Sequence, residues 1–182
     1  MTQRSPDSLA ERVLRNARGD CVTLLNYGAR LTRIELQLPD GTRNVICGYK
    51  DNAGYLTDPY FMGATAGRTC NRIAGAHFKL GGVNYPLDVN DGENHLHGGA
   101  DGFHSRYWSI DAAVPDDTVR FLLRSADGDQ GYPGTLEASV TYRWTDEREL
   151  VIQMEAETDR LTHVNMTNHA YFNLAAGDTD VL

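Results

Sequence analysis

Apolar and polar positions alternate most clearly between Leu136 and Glu157. Leu136, Ala138, Val140, Tyr142 and Trp144 interleave with Glu137, Ser139, Thr141 and Arg143. Asp146-Glu147-Arg148 interrupts the run, after which Leu150, Ile152, Met154 and Ala156 interleave with Glu149, Gln153, Glu155 and Glu157. A period of two sends successive side chains to opposite faces, so the pattern predicts two amphipathic strands facing one core. The same alternation from Arg33 to Leu38 predicts a strand that ends in a turn at Pro39-Asp40-Gly41. Phe78–Leu80 and Val83–Tyr85 flank Gly81-Gly82, and paired glycines reach the positive φ values of a two-residue hairpin loop. Ser8-Leu9-Ala10-Glu11 has the S-x-x-E form of a helix capping box, but Asn16 and Gly19 stop any helix within a few residues. No other stretch carries a helical period. Many short strands separated by Gly, Asp, Asn and Pro predict an all-β chain, an antiparallel sandwich or barrel.

At 182 residues the chain has the size of one domain or a piece of a larger one, and its 41% hydrophobic content suffices for a core. Seventeen Lys and Arg against 25 Asp and Glu leave a net charge of −8 with no local basic patch. That balance argues against nucleic acid or an anionic membrane surface as a partner. Cys21, Cys47 and Cys70 form no CxxC pair, and an odd count leaves at least one thiol without an intramolecular partner, which fits a reducing compartment. The N-terminus lacks the apolar stretch of a signal peptide, and no segment approaches the roughly 18 apolar residues of a membrane span. The expectation is a soluble, cytoplasmic protein.

Two histidine-bearing segments stand out. In Asn94-His95-Leu96-His97-Gly98-Gly99, an extended backbone would put His95 and His97 on one face, and the glycines would let a ligand approach closely. From His163 to Leu174 the odd positions His163, Asn165, Thr167, His169, Tyr171 and Asn173 alternate with Val164, Met166, Ala170, Phe172 and Leu174. A row of His, Asn, Thr and Tyr suits a ligand rich in hydroxyls better than the Lys, Glu and Thr of an ordinary solvated face. A third segment, Gly67-Arg68-Thr69-Cys70-Asn71-Arg72-Ile73-Ala74-Gly75, sets guanidinium donors beside an Asn amide. Such a group can bind sugar oxygens or form a salt-bridged surface loop.

Taken together, GRTCNRIAG at 67–75, NHLHGG at 94–99, GDQGYPGTLE at 128–137 and VNMTNHAYFNLAAG at 164–177 resemble the aldose 1-epimerase (galactose mutarotase) family. The resemblance runs from about Gly19 to the final residue. It implies a large antiparallel β-sandwich of the galactose mutarotase-like supersandwich type, with residues 1–18 as an extension or first strand and 19–182 as the N-terminal portion of the domain. It also implies interconversion of the α and β anomers of free hexoses such as galactose or glucose. Opening the pyranose ring takes a proton from the anomeric hydroxyl and gives one to the ring oxygen, which calls for a base and an acid. By resemblance His169 is the acid, His97 assists at the ring oxygen, and Asn71, Arg72 and Tyr171 bind substrate. His95, His77, His104 and His163 are expected to be structural. Thr69-Cys70 stands where the family often has Tyr-Ala. No cofactor and no metal are implied.

Family members are about twice this long and carry their general base, a Glu, in the C-terminal half, together with an Asp that holds sugar hydroxyls. The chain is therefore expected to correspond to the N-terminal half alone and to be weak or inactive by itself. Asp88, Asp91 and Glu93 lie near the HLHGG segment, but their spacing nominates none of them as that base. A sandwich of this extent would leave strand edges and an apolar face exposed, which favours self-association or pairing with another chain. Two other classes remain open from the sequence. One is a sugar-binding β-sandwich without catalysis. The other is a metal-dependent cupin-type barrel using His95 and His97, which lacks the carboxylate expected a few residues later.

Overall fold

Cys21–Leu25, CVTLL, is buried along its whole length in the computed structural model, which describes residues 8–175. A strand with no solvated face needs a hydrogen-bonded neighbour on each edge, and the chain supplies both. The strands are β1 (Glu11–Arg15), β2 (Cys21–Leu25), β3 (Arg30–Leu38), β4 (Gly41–Asn44), β5 (Thr65–Ala66), β6 (Arg72–Ile73) and β7 (His77–Leu80). They continue as β8 (Val83–Pro86), β9 (His95–Leu96), β10 (Ser109–Asp111), β11 (Thr118–Ser125), β12 (Leu136–Trp144), β13 (Leu150–Thr158) and β14 (Thr167–Asn168). One four-stranded sheet runs β1-β2-β3-β4 and a second runs β10-β11-β12-β13, with three two-stranded pairs, β5-β14, β6-β9 and β7-β8, beside them. All of these pairings are antiparallel. Among the described residues the helical content is four short 3-10 segments, and no helix is long and apolar enough to cross a membrane.

The two larger sheets pack face to face. Leu14, Val22, Leu24, Leu31 and Ile34 of the first sheet share one core with Val119, Phe121, Leu136, Val140, Tyr142 and Trp144 of the second, and Phe103 and Trp108, edge to face at 5.5 Å, belong to the same core. Hydrogen bonds also cross the interface, where Tyr142 Oη donates to the Ala29 carbonyl (2.8 Å) and Trp144 Nε1 to the Asp20 carbonyl (3.3 Å). The β12–β13 register pairs Leu136 with Thr158 and Trp144 with Leu150, matching the two strands read from the alternation. β12 buries its apolar face, whereas β13, at the sheet edge, is only half buried through Leu150, Ile152 and Met154. The sandwich is the fold class that the sequence predicts.

The N-terminus differs from its helix-start pattern. Glu11–Arg15 is strand β1, paired residue for residue from Glu11 with Leu25 to Arg15 with Cys21. A helix of one or two turns is marginal, whereas extended pairing satisfies the buried edge of β2. Asn16 closes the turn by accepting from the backbone N–H groups of Arg18 and Asp20, each at 3.0 Å. β3 starts at Arg30, three residues before the visible alternation, because Arg30, Leu31 and Thr32 are all buried and leave no polar face to read. The β7–β8 hairpin turns on Gly81 and Gly82, whose φ values of 57° and 82° supply the backbone this short loop needs. Phe78 at its base stacks on Tyr85 with centroids 5.3 Å apart and packs on Tyr132.

Candidate active site

The site is built on a buried ion pair. Arg30, 1% exposed at the start of β3, meets the fully buried Asp58 carboxylate at 2.5 Å and also donates to the carbonyls of Met62 (3.0 Å) and His104 (3.1 Å). Asp58 accepts in addition from Tyr49 Oη (3.1 Å) and from the backbone N–H groups of Tyr60 (3.0 Å) and Met62 (2.8 Å). A carboxylate with this many donors fixes the course of residues 58–62, and Phe61 emerges at the loop tip with φ 58°.

GRTCNRIAG divides into an inner and an outer part. Arg68 is 2% exposed and spends its donors on Ser125 Oγ (2.9 Å) and the carbonyls of Ser125 (3.0 Å), Ala126 (2.8 Å) and Pro133 (3.1 Å), so it anchors the segment to β11 and the following loop. Asn71 and Arg72 face outward and are exposed. Pairing of β6 with β9, Arg72 opposite Leu96, carries Asn71 to the end of the HLHGG turn. There the Asn71 N–H donates to His97 Nδ1 at 3.1 Å. Arg72 Nε donates to Asp91 Oδ2 at 2.6 Å with both side chains partly exposed. Gly98 holds the turn against GRTCN, since a Cβ there would lie 1.7 Å from the Gly67 carbonyl oxygen.

The sequence expectation that His95 and His97 share a face is corrected. His97 has φ 51°, which breaks the alternation after β9, and the two rings have separate partners. His95 is buried, its Nδ1 2.7 Å from the Asp88 carbonyl and its Nε2 2.9 Å from Tyr132 Oη. A carbonyl only accepts, so Nδ1 carries the proton and Nε2 takes the Tyr132 hydroxyl hydrogen. Burial pushes His95 down and Tyr132 up to about 12. Among the described residues, no group of three or more His, Cys, Asp or Glu side chains is arranged to hold a metal ion.

The row from His163 to Asn173 is likewise only partly a common face. Thr167–Asn168 is its one strand, on Thr65–Ala66, and the rest of the segment is extended but irregular. His163 packs on Phe78 at the hairpin base, 4.6 Å between centroids, and Asn173 is buried. Asn168, at an even position, turns inward to the Gly63 carbonyl (2.8 Å) and Tyr142 Oη (3.0 Å). His169 and Tyr171 reach the site. Their rings are 5.1 Å apart, and Tyr171 Oη donates to the Tyr60 carbonyl at 3.0 Å.

His97 and His169 thus converge, ring centroids 5.1 Å apart at 83°, with Asn71 and Arg72 on one flank and Tyr171 on the other. Burial, His169 and Arg72 together press His97 down to about 4, against an opposing pull from Asp91. His97 is therefore neutral at pH 7. Because its Nδ1 accepts from Asn71, the proton sits on Nε2, which makes that nitrogen a donor. His104, read from the sequence as structural, lies in the same cluster with its ring 4.7 Å from Phe61, and burial beside Arg30 presses it to about 4 as well. The sequence reading did not single out Phe61 or Asp58, and it named Asp91 only for its nearness to the HLHGG segment.

The profile of the aldose 1-epimerase family matches residues 12–181. The aldose 1-epimerase of Escherichia coli K12 is 42% identical over 180 residues, which cover 97% of this chain and 52% of that protein. The crystal structure of an aldose epimerase homologue from C. elegans superimposes with a TM-score of 0.88 at 31% identity, covering 94% of this chain and 53% of that one. The galactose 1-epimerase of Lactobacillus acidophilus superimposes with a TM-score of 0.82 at 35% identity, covering 94% and 51%. This chain spans about half the length of these relatives. Fold, motifs and whole-chain similarity agree, and the chain belongs to the aldose 1-epimerase family.

Proposed function

We propose that this chain carries the acid-side half of a mutarotase site, which interconverts the α and β anomers of free hexoses such as galactose or glucose. In this reading His169 delivers the proton to the ring oxygen as the ring opens, and the Nε2 hydrogen of neutral His97 steadies the same oxygen. Asn71 and Arg72 bind sugar hydroxyls through amide and guanidinium donors, and Tyr171 borders the sugar. The observation that supports it most is the meeting of the His97 and His169 rings at 5.1 Å beside exposed hydrogen-bonding groups. Neutral donors and a paired guanidinium suit an uncharged polyhydroxyl ligand, and a relative named galactose 1-epimerase supports galactose as the first sugar to try.

The test is polarimetry of freshly dissolved α-galactose and α-glucose, with calorimetry for binding. Loss of one partner of an acid/base pair typically lowers the rate by about 10² to 10⁴. The resemblance assigns the base to the family's other half, so these 182 residues should bind galactose yet relax it far more slowly than an intact epimerase. Relaxation at the level of an intact enzyme would refute that dependence, and no galactose binding would refute the site. We also infer that the exposed side chains of Phe172 (58%) and Leu174 (72%), with the edge strand β13, drive self-association. Light scattering should then show mass rising with concentration.

A further inference from the structure

We propose that Phe61 is the positioning residue of this site: its ring sets the distance and tilt at which His97 and His169 meet. As a role in sugar turnover this rests on the mutarotase reading, but the placement itself stands on contacts. The Phe61 ring centroid lies 4.7 Å from that of His97, 4.7 Å from His104 and 5.8 Å from His169, so three imidazoles from three separate segments share one aromatic neighbour. Aromatic pairs have preferred tilts within this range of separation, so the shared ring restricts how each imidazole can turn.

The backbone of the same loop holds His169. The Gly63 N–H donates to the His169 carbonyl at 3.0 Å and the His169 N–H donates to the Ala64 carbonyl at 2.8 Å. Phe61 itself is over-determined. Its φ of 58° is rare for a bulky residue and persists only where the surroundings enforce it. Asp58 bonds the N–H groups on either side, at Tyr60 and Met62, and Arg30 holds the Met62 carbonyl. A buried ion pair is therefore wired to the tip that carries the ring. Phe61 has no proton to give or take, so its contribution is placement and exclusion of water. The charged and titratable groups around His97 are His169, Arg72 and Asp91, and those around His104 are Arg30, His97 and Asp58. Against that background the apolar ring favours uncharged imidazoles, which agrees with both being pressed to about 4.

The experiment is NMR of the imidazole C–H groups in the 182-residue chain, alone and with galactose. In the unsubstituted protein, nuclear Overhauser contacts should join the Phe61 ring to His97, His104 and His169. Phe61→Tyr should keep those contacts and the His97 titration midpoint. Phe61→Leu, with its β-sheet circular dichroism unchanged, should lose the His97–His169 contact, raise the His97 midpoint by a unit or more toward 6.5 and weaken galactose binding at least tenfold. Absence of the Phe61 contacts in the unsubstituted protein overturns the inference, whether or not either variant folds. So does a Leu variant whose His97–His169 contact and midpoint are unmoved. Failure of the unsubstituted chain to bind galactose removes the mutarotase reading, while the ring contacts still decide the placement.

Discussion

His97 accepts a hydrogen bond at Nδ1 from the backbone N–H of Asn71, 3.1 Å away, which fixes both its tautomer and the direction of its remaining N–H. A main-chain donor belongs to the fold and does not swing as a side chain would. The bond goes with the pairing of β6 and β9, so a two-residue ladder between GRTCN and HLHGG decides which imidazole nitrogen carries the proton beside His169.

Arg72 is the side chain whose removal should separate sugar binding from stability. Its ion pair with Asp91 is partly exposed, and such pairs contribute about 0–1 kcal/mol. A charged hydrogen bond to a sugar hydroxyl is worth about 1.5–3 kcal/mol. Arg72→Ala should therefore raise the galactose Kd by about tenfold or more in calorimetry while leaving the thermal midpoint nearly unchanged. An unchanged Kd would count against its assigned role.

Breaking the Arg30–Asp58 pair, unlike Arg72→Ala, should lower stability directly. Both side chains are buried, and removing one partner of a buried pair costs about 3–5 kcal/mol because the other charge is stranded. Asp58→Ala also removes the acceptor of the Tyr60 and Met62 N–H groups. Urea unfolding should show that loss, and a change below 1 kcal/mol would contradict the clamp.

Acid should weaken the fold in two stages. His97 and His104 are near 4 when folded and about 6.5 when unfolded, so between those values the unfolded chain binds more protons. Their contribution is complete above pH 6.5 and is lost as pH falls toward 4. Asp20 is held at about 2, chiefly by Arg148, with help from the Gln37 N–H and Asn16. Its contribution is present above the ordinary carboxylate value near 3.8 and disappears as pH falls through 2. Thermal midpoints should fall across pH 6.5–4 and again below 4, and a flat profile in the first interval would exclude buried neutral imidazoles.

Tyr142→Phe should loosen the segment that carries His169. The hydroxyl donates to the Ala29 carbonyl and accepts from Asn168 Nδ2, and each of these groups keeps one other partner, Thr65 Oγ1 and the Gly63 carbonyl, so loss of the hydroxyl should cost about 0.5–1.5 kcal/mol per bond. Hydrogen exchange at the His169 amide should accelerate more than exchange along β12.

The elements with one wet face were legible in the sequence. β12, β13 and the end of β3 show a period of two because their outward residues are polar, whereas β2 is dry on both sides and reads as an undifferentiated apolar run. Buried polar groups were opaque for the same reason, since Arg30, Arg68 and Asp20 look like surface residues until their partners are known. At the site, motif resemblance picked out the residues that converge. The alternation reading missed that His97 adopts a left-handed turn that parts it from His95, because local spacing carries no information about a conformation enforced by packing of Gly98 on Gly67.

The glycine pair at the tip of the β7–β8 hairpin has open space around it, for a Cβ at either position would meet no atom within 4 Å. Loop tips of this kind accept insertions with little strain on the elements they join. A purification tag or an environment-sensitive dye spliced between Gly81 and Gly82 would therefore ride outside the sandwich, giving a handle for immobilising the chain or reporting on it optically without rebuilding any part of the histidine cluster.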